Sequence, residues 1–156
     1  MGTLRGSNYM IVIKRLVLVA VFVTPWMTNA QDISLRAIKK QVAKASLYEL
    51  QFTPAAAFLA EGAVRVRFPE AYDLTGIQIA GSNQINGGLK VSVDSAGVII
   101  TRTGLGDSSP AGKRVSIIFG PIVKTKPGAA DSAEVVLFFQ GLKKRSNRQA
   151  FKIPIR

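Results

Sequence analysis

The sequence predicts an all-β protein: an immunoglobulin-like antiparallel β-sandwich of about seven strands, preceded by an N-terminal signal peptide. Apolar residues recur at every second position in several short segments. Clusters rich in Gly, Pro, Asn, Asp and Ser separate these segments at intervals of about 8 to 15 residues. The chain is 47% hydrophobic and only 19% charged, which excludes the composition of a disordered protein.

Residues 1–30 have the order of a secretory signal peptide. Lys14 and Arg15 precede an apolar run over 16–23, and small residues after Pro25 end at Ala30. We expect cleavage after Ala30. The apolar run is much shorter than the roughly 20 residues that span a bilayer, so an uncleaved membrane anchor is the second interpretation.

Residues 31–43 are predicted to form a leader or a short helix before the folded domain. Ile33, Ile38 and Val42 stand among basic residues with a loose helical spacing. The period changes to two from about residue 44. The β-sandwich domain is therefore predicted over 44–156, with a basic segment at its C-terminal end.

Alternation places the first strands of this domain. In LYELQFT, residues 47–53, apolar and polar positions alternate as in a half-buried strand. In the segment 61–69, the valines and a phenylalanine share one face, so Arg65 and Arg67 must share the other. Pro69 ends the strand because proline cannot donate to a ladder.

The remaining strands follow the same patterns. The run over 133–140 is almost entirely apolar, which is typical of a strand with neighbours on both sides. Pro154 confines the last strand to a sheet edge. The strands predicted after Pro69 lie around 77–80, 89–93, 98–103, 114–120, 133–140 and 149–155.

The charge is strongly positive and independent of pH near neutrality. The chain has 21 Lys and Arg, nine Asp and Glu and no His, for a net charge of +12. Removing Arg5, Lys14 and Arg15 with the signal peptide leaves 18 basic residues, or +9. Such a surplus favours polyanions, including nucleic acid, anionic membrane surfaces and acidic glycans.

Four short motifs occur once each, in the following order, along the domain. They are Y-x-x-x-F-T at 48–53, V-x-V-x-F-P at 64–69, I-T-R-x-G at 100–104 and A-G-x-x-V at 111–115. Over residues 44–140 the chain resembles a secreted immunoglobulin-like β-sandwich module that is repeated in large microbial surface proteins. The resemblance implies an extracellular structural or adhesive role, and it supplies no catalytic residues.

No catalytic, cofactor-binding or metal-binding residues are predicted. Without His and Cys, a general base would have to be Asp, Glu, Lys or Tyr. Glu61, Glu70 and Asp73 are close in sequence but are the expected solvated residues of loops and strand ends. The absence of Cys also excludes a disulfide and a thiolate metal site. We therefore expect that the protein is not an enzyme and needs no cofactor.

Basic residues supply the only candidate site. The C-terminal segment concentrates basic side chains without any acid, and Arg65 and Arg67 could form a stripe with Arg114 if their strands were neighbours. The alternatives assign these residues no binding role. The C-terminal segment would then be a solvated turn that protects an edge strand, and Arg65 and Arg67 would lie on the solvent-exposed face of a sheet. The candidate polyanion-binding residues are Lys143, Lys144, Arg145, Arg148, Arg65, Arg67 and Arg114.

These observations predict a secreted, non-enzymatic component of a cell surface or extracellular matrix. Its expected partner is an acidic polysaccharide, another polyanion or another surface protein bound through edge strands. A membrane surface and a homo-oligomer remain open, whereas the export signal disfavours nucleic acid. The alternatives are a self-assembling filament or coat subunit that uses edge-strand pairing, and a small secreted hydrolase or inhibitor.

Overall fold

The computed structural model describes residues 32–39, 43–128, 131–143 and 147–156, and these ranges contain ten strands and no helix. The predicted signal peptide, residues 1–30, lies outside them. The strands are β1 (Ile33–Ala37), β2 (Ala45–Phe52), β3 (Ala63–Arg67), β4 (Tyr72–Asp73), β5 (Ile79–Gly81), β6 (Leu89–Asp94), β7 (Gly97–Arg102), β8 (Val115–Lys124), β9 (Ser132–Phe138) and β10 (Arg148–Pro154).

The strands form two sheets that pack face to face. The first sheet has the order β1-β2-β8-β4, with β5 also paired to β8, and the second has the order β10-β9-β3-β7-β6. Every ladder between these strands is antiparallel. The predicted all-β antiparallel sandwich is confirmed, and short strands such as β1 and β4 raise the described number of strands to ten.

The core consists of the inward positions that alternation predicts. Leu50 and Phe52 of β2 face Val64 and Val66 of β3 across the sandwich, and all four are fully buried. Phe58, from the loop after β2, packs edge-on against Phe52 with ring centroids 5.6 Å apart. Burial of the two inner faces therefore stabilises the sandwich, without any cysteine.

Two further predictions about strand position are confirmed. β9 lies inside the second sheet, between β10 and β3, as its nearly continuous apolar sequence indicates. β10 is the edge strand of that sheet, and Pro154 is its last residue. The edge position accommodates a residue that has no amide proton.

The prediction of a leader or short helix over 31–43 is wrong for 33–37, which form β1. All five residues of β1 pair with β2, from Ile33 opposite Phe52 to Ala37 opposite Tyr48. Leu35 is completely buried in the core. The helical spacing was misleading because the burial of Leu35 depends on a partner strand, and local sequence does not encode that contact.

A buried carboxylate on the outer face of the first sheet fastens β1 to its neighbours. Glu49 of β2 accepts hydrogen bonds from Arg36 Nε at 2.7 Å, Ser116 Oγ at 2.6 Å and Gln51 Nε2 at 2.9 Å. Its side chain is only 11% exposed. The hydrogen bonds from Ser116, Gln51 and Arg36 lower the pKa of Glu49 below its ordinary value of 4.5, although burial opposes them.

A buried arginine holds three loops together at one end of the sandwich. Arg102, at the end of β7, is 3% exposed. Its Nη1 donates to the carbonyl oxygens of Phe58 and Leu59 at 2.8 and 2.9 Å. Its Nη2 donates to those of Asn86 and Asp107 at 3.2 and 2.5 Å. One planar guanidinium thus satisfies carbonyls from the loops that follow β2, β5 and β7.

We expect Arg102→Met to lower the free energy of unfolding by about 3 kcal/mol, because four carbonyl groups lose a hydrogen bond to a cation, although Phe58 O and Leu59 O each keep a backbone donor. Arg102→Lys should recover only part of this loss, since an ammonium lacks the flat fork of N–H groups. Urea denaturation measures both changes. The matched control is Arg148→Met at an exposed position, for which a change within about 0.5 kcal/mol is expected. Equal midpoints for the Arg102→Met and Arg148→Met variants would contradict this role.

We expect Glu49→Gln to destabilise the protein at neutral pH, with a deficit that shrinks in acid. The folded-state pKa of Glu49 is depressed, so its extra stability is present above the unfolded pKa near 4.5 and is lost as pH falls through the folded pKa. Urea denaturation of the Glu49→Gln variant and of the unaltered protein between about pH 7 and pH 3 measures the difference in their free energies of unfolding. A deficit that stays constant over this range would show that the charge of Glu49 is not involved.

Candidate functional site

The outer face of the second sheet brings together three of the predicted binding residues. Arg65 of β3 is opposite Val136 of β9 and Ile99 of β7, and its side chain points away from the core. Arg67 follows two positions later on the same face. Arg148 of β10 lies on this face as well, because the inward side chains of its strand include the buried Ile153.

Two lysines that are not among the candidate binding residues complete this surface. Lys90 of β6 is opposite Thr101, and Lys152 of β10 is opposite Glu134. Both are exposed. Their signal in the sequence was the alternation with Val91 and Ile153, which points them outward. We call the set Arg65, Arg67, Lys90, Arg148 and Lys152 the basic face.

The basic face has a surplus of positive charge at its margins. In its interior, Arg65 Nη2 is 3.1 Å from Asp94 Oδ2, and Arg67 Nη1 is 3.2 Å from Glu134 Oε2. Lys90, Arg148 and Lys152 have no ion pair within the described part of the chain. These three cations on the edge strands β6 and β10 are therefore the ones that are not neutralised locally.

The stripe of Arg65, Arg67 and Arg114, which required neighbouring strands, does not form. The neighbours of β3 are β7 and β9, whereas Arg114 lies just before β8 of the other sheet and forms an ion pair with Asp32. Strand order is a long-range property that alternation does not determine. Of the remaining candidates, Lys143 is exposed in the β9–β10 connection, and Lys144 and Arg145 lie outside the described residues.

The outer face of the first sheet carries a trough of about 570 Å³. Its floor includes Glu49 and Ser116 of the hydrogen-bonded cluster, and residues 79–84 and Arg114 form its sides. Ile79 and Ile118 are exposed here. This surface therefore combines guanidinium groups with uncovered aliphatic side chains, unlike the basic face.

Two smaller depressions lie elsewhere. One of about 500 Å³ lies at the end of β3, where Phe68 and Phe151 meet the charged ends of Arg67 and Lys152. The other, of about 270 Å³, is a polar pocket between residues 83–86 and the 107–110 loop. The first adjoins the basic face and extends it with apolar surface.

The acidic residues that are close in sequence lie in loops or at strand ends of the described structure. No group of three or more Asp, Glu, His or Cys side chains is placed to hold a metal ion in these ranges. Glu61 precedes β3 and Glu70 follows it, so they lie at opposite ends of a strand. Asp73 accepts hydrogen bonds from the amide and hydroxyl of Thr75, which makes it a turn residue.

No described segment forms a helix with the length and apolar character needed to cross a membrane.

No protein-family model matches the sequence, and no curated protein matches it significantly.

Solved structures share the fold at low sequence identity. Domains D2 and D3 of the major pilin SpaD from Corynebacterium diphtheriae match with a TM-score of 0.52 and 14% identity, over 78% of this chain and 50% of that one. This chain thus spans about half the length of the pilin fragment. A 35 kDa fragment of the major pilin GBS80 of Streptococcus agalactiae matches with a TM-score of 0.48 and 9% identity, over 81% and 56% of the two chains.

A third similar structure is an uncharacterised protein of Nocardia farcinica described as having an immunoglobulin-like fold. It matches with a TM-score of 0.40 and 15% identity, over 77% of this chain and 81% of that one. The two packed antiparallel sheets and the likeness to the pilin domains agree with the predicted resemblance at the level of the fold. The chain is an immunoglobulin-like β-sandwich.

Proposed function

We propose that this protein is a secreted, non-enzymatic binding module of a cell surface or extracellular matrix, and that its basic face holds an acidic polymer. The observation that carries the proposal is the charge of that face. Five basic side chains share it with two acidic ones, Asp94 and Glu134. A polyanion gains attraction from such a surface without needing a deep pocket.

The geometry of the basic face suits an extended ligand. Arg148 and Lys152 are four residues apart on β10, which corresponds to about 13 Å along a strand. Lys152 and Arg67 flank β9 on either side, a separation of about 10 Å between strands. Because these positions belong to paired strands, the cations start from a fixed backbone and lose little backbone entropy when the ligand binds.

The alternatives have less support. A hydrolase would require convergent acidic groups, whereas Glu61 and Glu70 lie at opposite ends of β3 and Asp73 accepts hydrogen bonds from Thr75. Polymerisation by exchange of β10 would have to release its ladder with β9 and its contacts with β1, which include hydrogen bonds from Ala37 N to Arg156 O at 2.8 Å and from Arg156 N to Leu35 O at 2.9 Å. These bonds hold the end of the last strand against β1.

We expect the purified protein to bind an immobilised sulfated polysaccharide, and added salt should weaken this binding because the contacts are ionic. The double variant R148S/K152S should lose about 2 kcal/mol, or roughly 30-fold in affinity, at about 1 kcal/mol for each cation near an anionic surface. Biolayer interferometry at low and raised salt measures both effects.

The matched control is K113S/K126S, which removes the same charge from loops away from the basic face. An equal loss in both double variants would mean that only the net charge of the protein matters. Absence of salt-sensitive binding would rule out the polyanion proposal.

A further inference from the structure

Aliphatic side chains are exposed on the outer face of the first sheet, opposite the basic face. The described residues contain five exposed large hydrophobic side chains, and three of them lie on this face: Ile38 at 44% exposure, Ile79 at 53% and Ile118 at 37%. Isolated exposed aliphatic residues are common, but three on one sheet face form a patch that needs an explanation.

The register makes these residues neighbours. The amide of Ile38 donates to Leu47 O at 2.8 Å, which extends the β1–β2 pairing by one residue. Leu47 lies between the inward residues Ser46 and Tyr48 and so points outward. Leu47 Cδ2 in turn lies over Gly120, the residue paired with Ile79. We call Ile38, Leu47, Ile79 and Ile118 the apolar row.

A glycine keeps the trough beside the apolar row open. Gly81 of β5 is paired with Ile118 of β8. A Cβ atom added at Gly81 would meet no atom within 4 Å, and the backbone there does not have the positive φ that favours glycine. Neither space nor conformation requires glycine at this position, and its effect is to leave Ile118 accessible from the side of β5.

The exposed charged groups beside the apolar row include the guanidinium groups of Arg36 and Arg114 and the carboxylate of Asp32. The side chains of Arg36 and Arg114 are 59% and 61% exposed, and Asp32, the ion-pair partner of Arg114, is 62% exposed, whereas the carboxylate of Glu49 is enclosed by its donors. Each guanidinium contacts its own acidic partner and still has further N–H groups that face solvent. A ligand with an acidic side chain beside an apolar one could therefore contact a guanidinium group and an aliphatic side chain on this face.

A second copy of this chain fits the face poorly. The protein has a net charge of +12, so two copies repel each other as they approach, whereas an acidic partner is attracted. Five of the nine acidic residues, moreover, are already in ion pairs within the chain.

We propose that the outer face of the first sheet docks a segment of a different protein, one in which aliphatic side chains are flanked by acidic residues. The aliphatic side chains lie on the apolar row beside Gly81, and the acidic groups contact Arg36 and Arg114. This site is separate from the basic face, so the two proposals can succeed or fail independently.

Selection from a random peptide display library, with the purified protein as bait, tests the proposal. Peptides enriched on the protein should combine Leu, Ile or Val with neighbouring Asp or Glu. Synthetic copies should lose at least tenfold in affinity for Gly81→Trp, which fills the trough, and for Ile118→Glu, which places a like charge against the ligand.

Two controls identify the site. Leu105→Glu introduces the same charge at another exposed aliphatic residue, 67% exposed in the loop after β7, and should leave peptide affinity unchanged. The R148S/K152S variant of the basic face should also bind the peptides normally. Circular dichroism confirms that each variant is folded.

The proposal is overturned if no peptide is enriched, if the enriched peptides lack the aliphatic and acidic pattern, or if they bind Gly81→Trp as well as the unaltered protein. Sedimentation of the protein alone adds one further result. A dimer that disappears in Gly81→Trp would identify a second copy as the occupant and would also refute docking of a different protein.

Discussion

The guanidinium of Arg102 is the interaction on which one end of the sandwich depends. Loops that follow β2, β5 and β7 present carbonyl oxygens to it, and these loops connect strands of both sheets. A single planar cation contacts all three loops, and hydrogen bonds between the loops, such as those that join Phe58 to Ser109 and Asn86 to Asp107, act with it. Since the strands themselves are held by ladders and by the core, the sheets provide flat outer faces whose geometry does not depend on a ligand.

The two outer faces can differ in chemistry because burial of the inner faces already stabilises the fold. Alternation gives every second residue to the core, and the intervening positions are then free to vary. On the second sheet they carry five basic side chains and two acidic ones, and three of these cations, at the margins, have no ion pair in the described part of the chain. On the first sheet, enclosure of Glu49 leaves aliphatic side chains and guanidinium groups exposed. A module with two such faces could bind two chemically distinct partners at once.

The features predicted correctly are those encoded by local periodicity. The strand at 47–53, the outward direction of Arg65 and Arg67, and the edge position of the last strand follow from alternation and from proline chemistry. Features that depend on strand order were missed: β1 is a strand because Leu35 is buried beside β2, and Arg114 belongs to a different sheet from Arg65. Arg102 had a local signal, because it shares the inward face of β7 with Val98 and Ile100, but its four acceptors come from distant loops.

The contact between β1 and β10 has a mechanical consequence. Leu35 and Ile155 form a parallel bridge, so the start of β1 and the end of β10 point toward opposite ends of the sandwich. A pulling force applied through Ile33 and Arg156 would act along these two strands in opposite directions. The hydrogen bonds of Arg156 to Leu35 and Ala37 would then be loaded together in shear, instead of opening one after another. The first and last strands of the domain are thus joined in a geometry that resists extension.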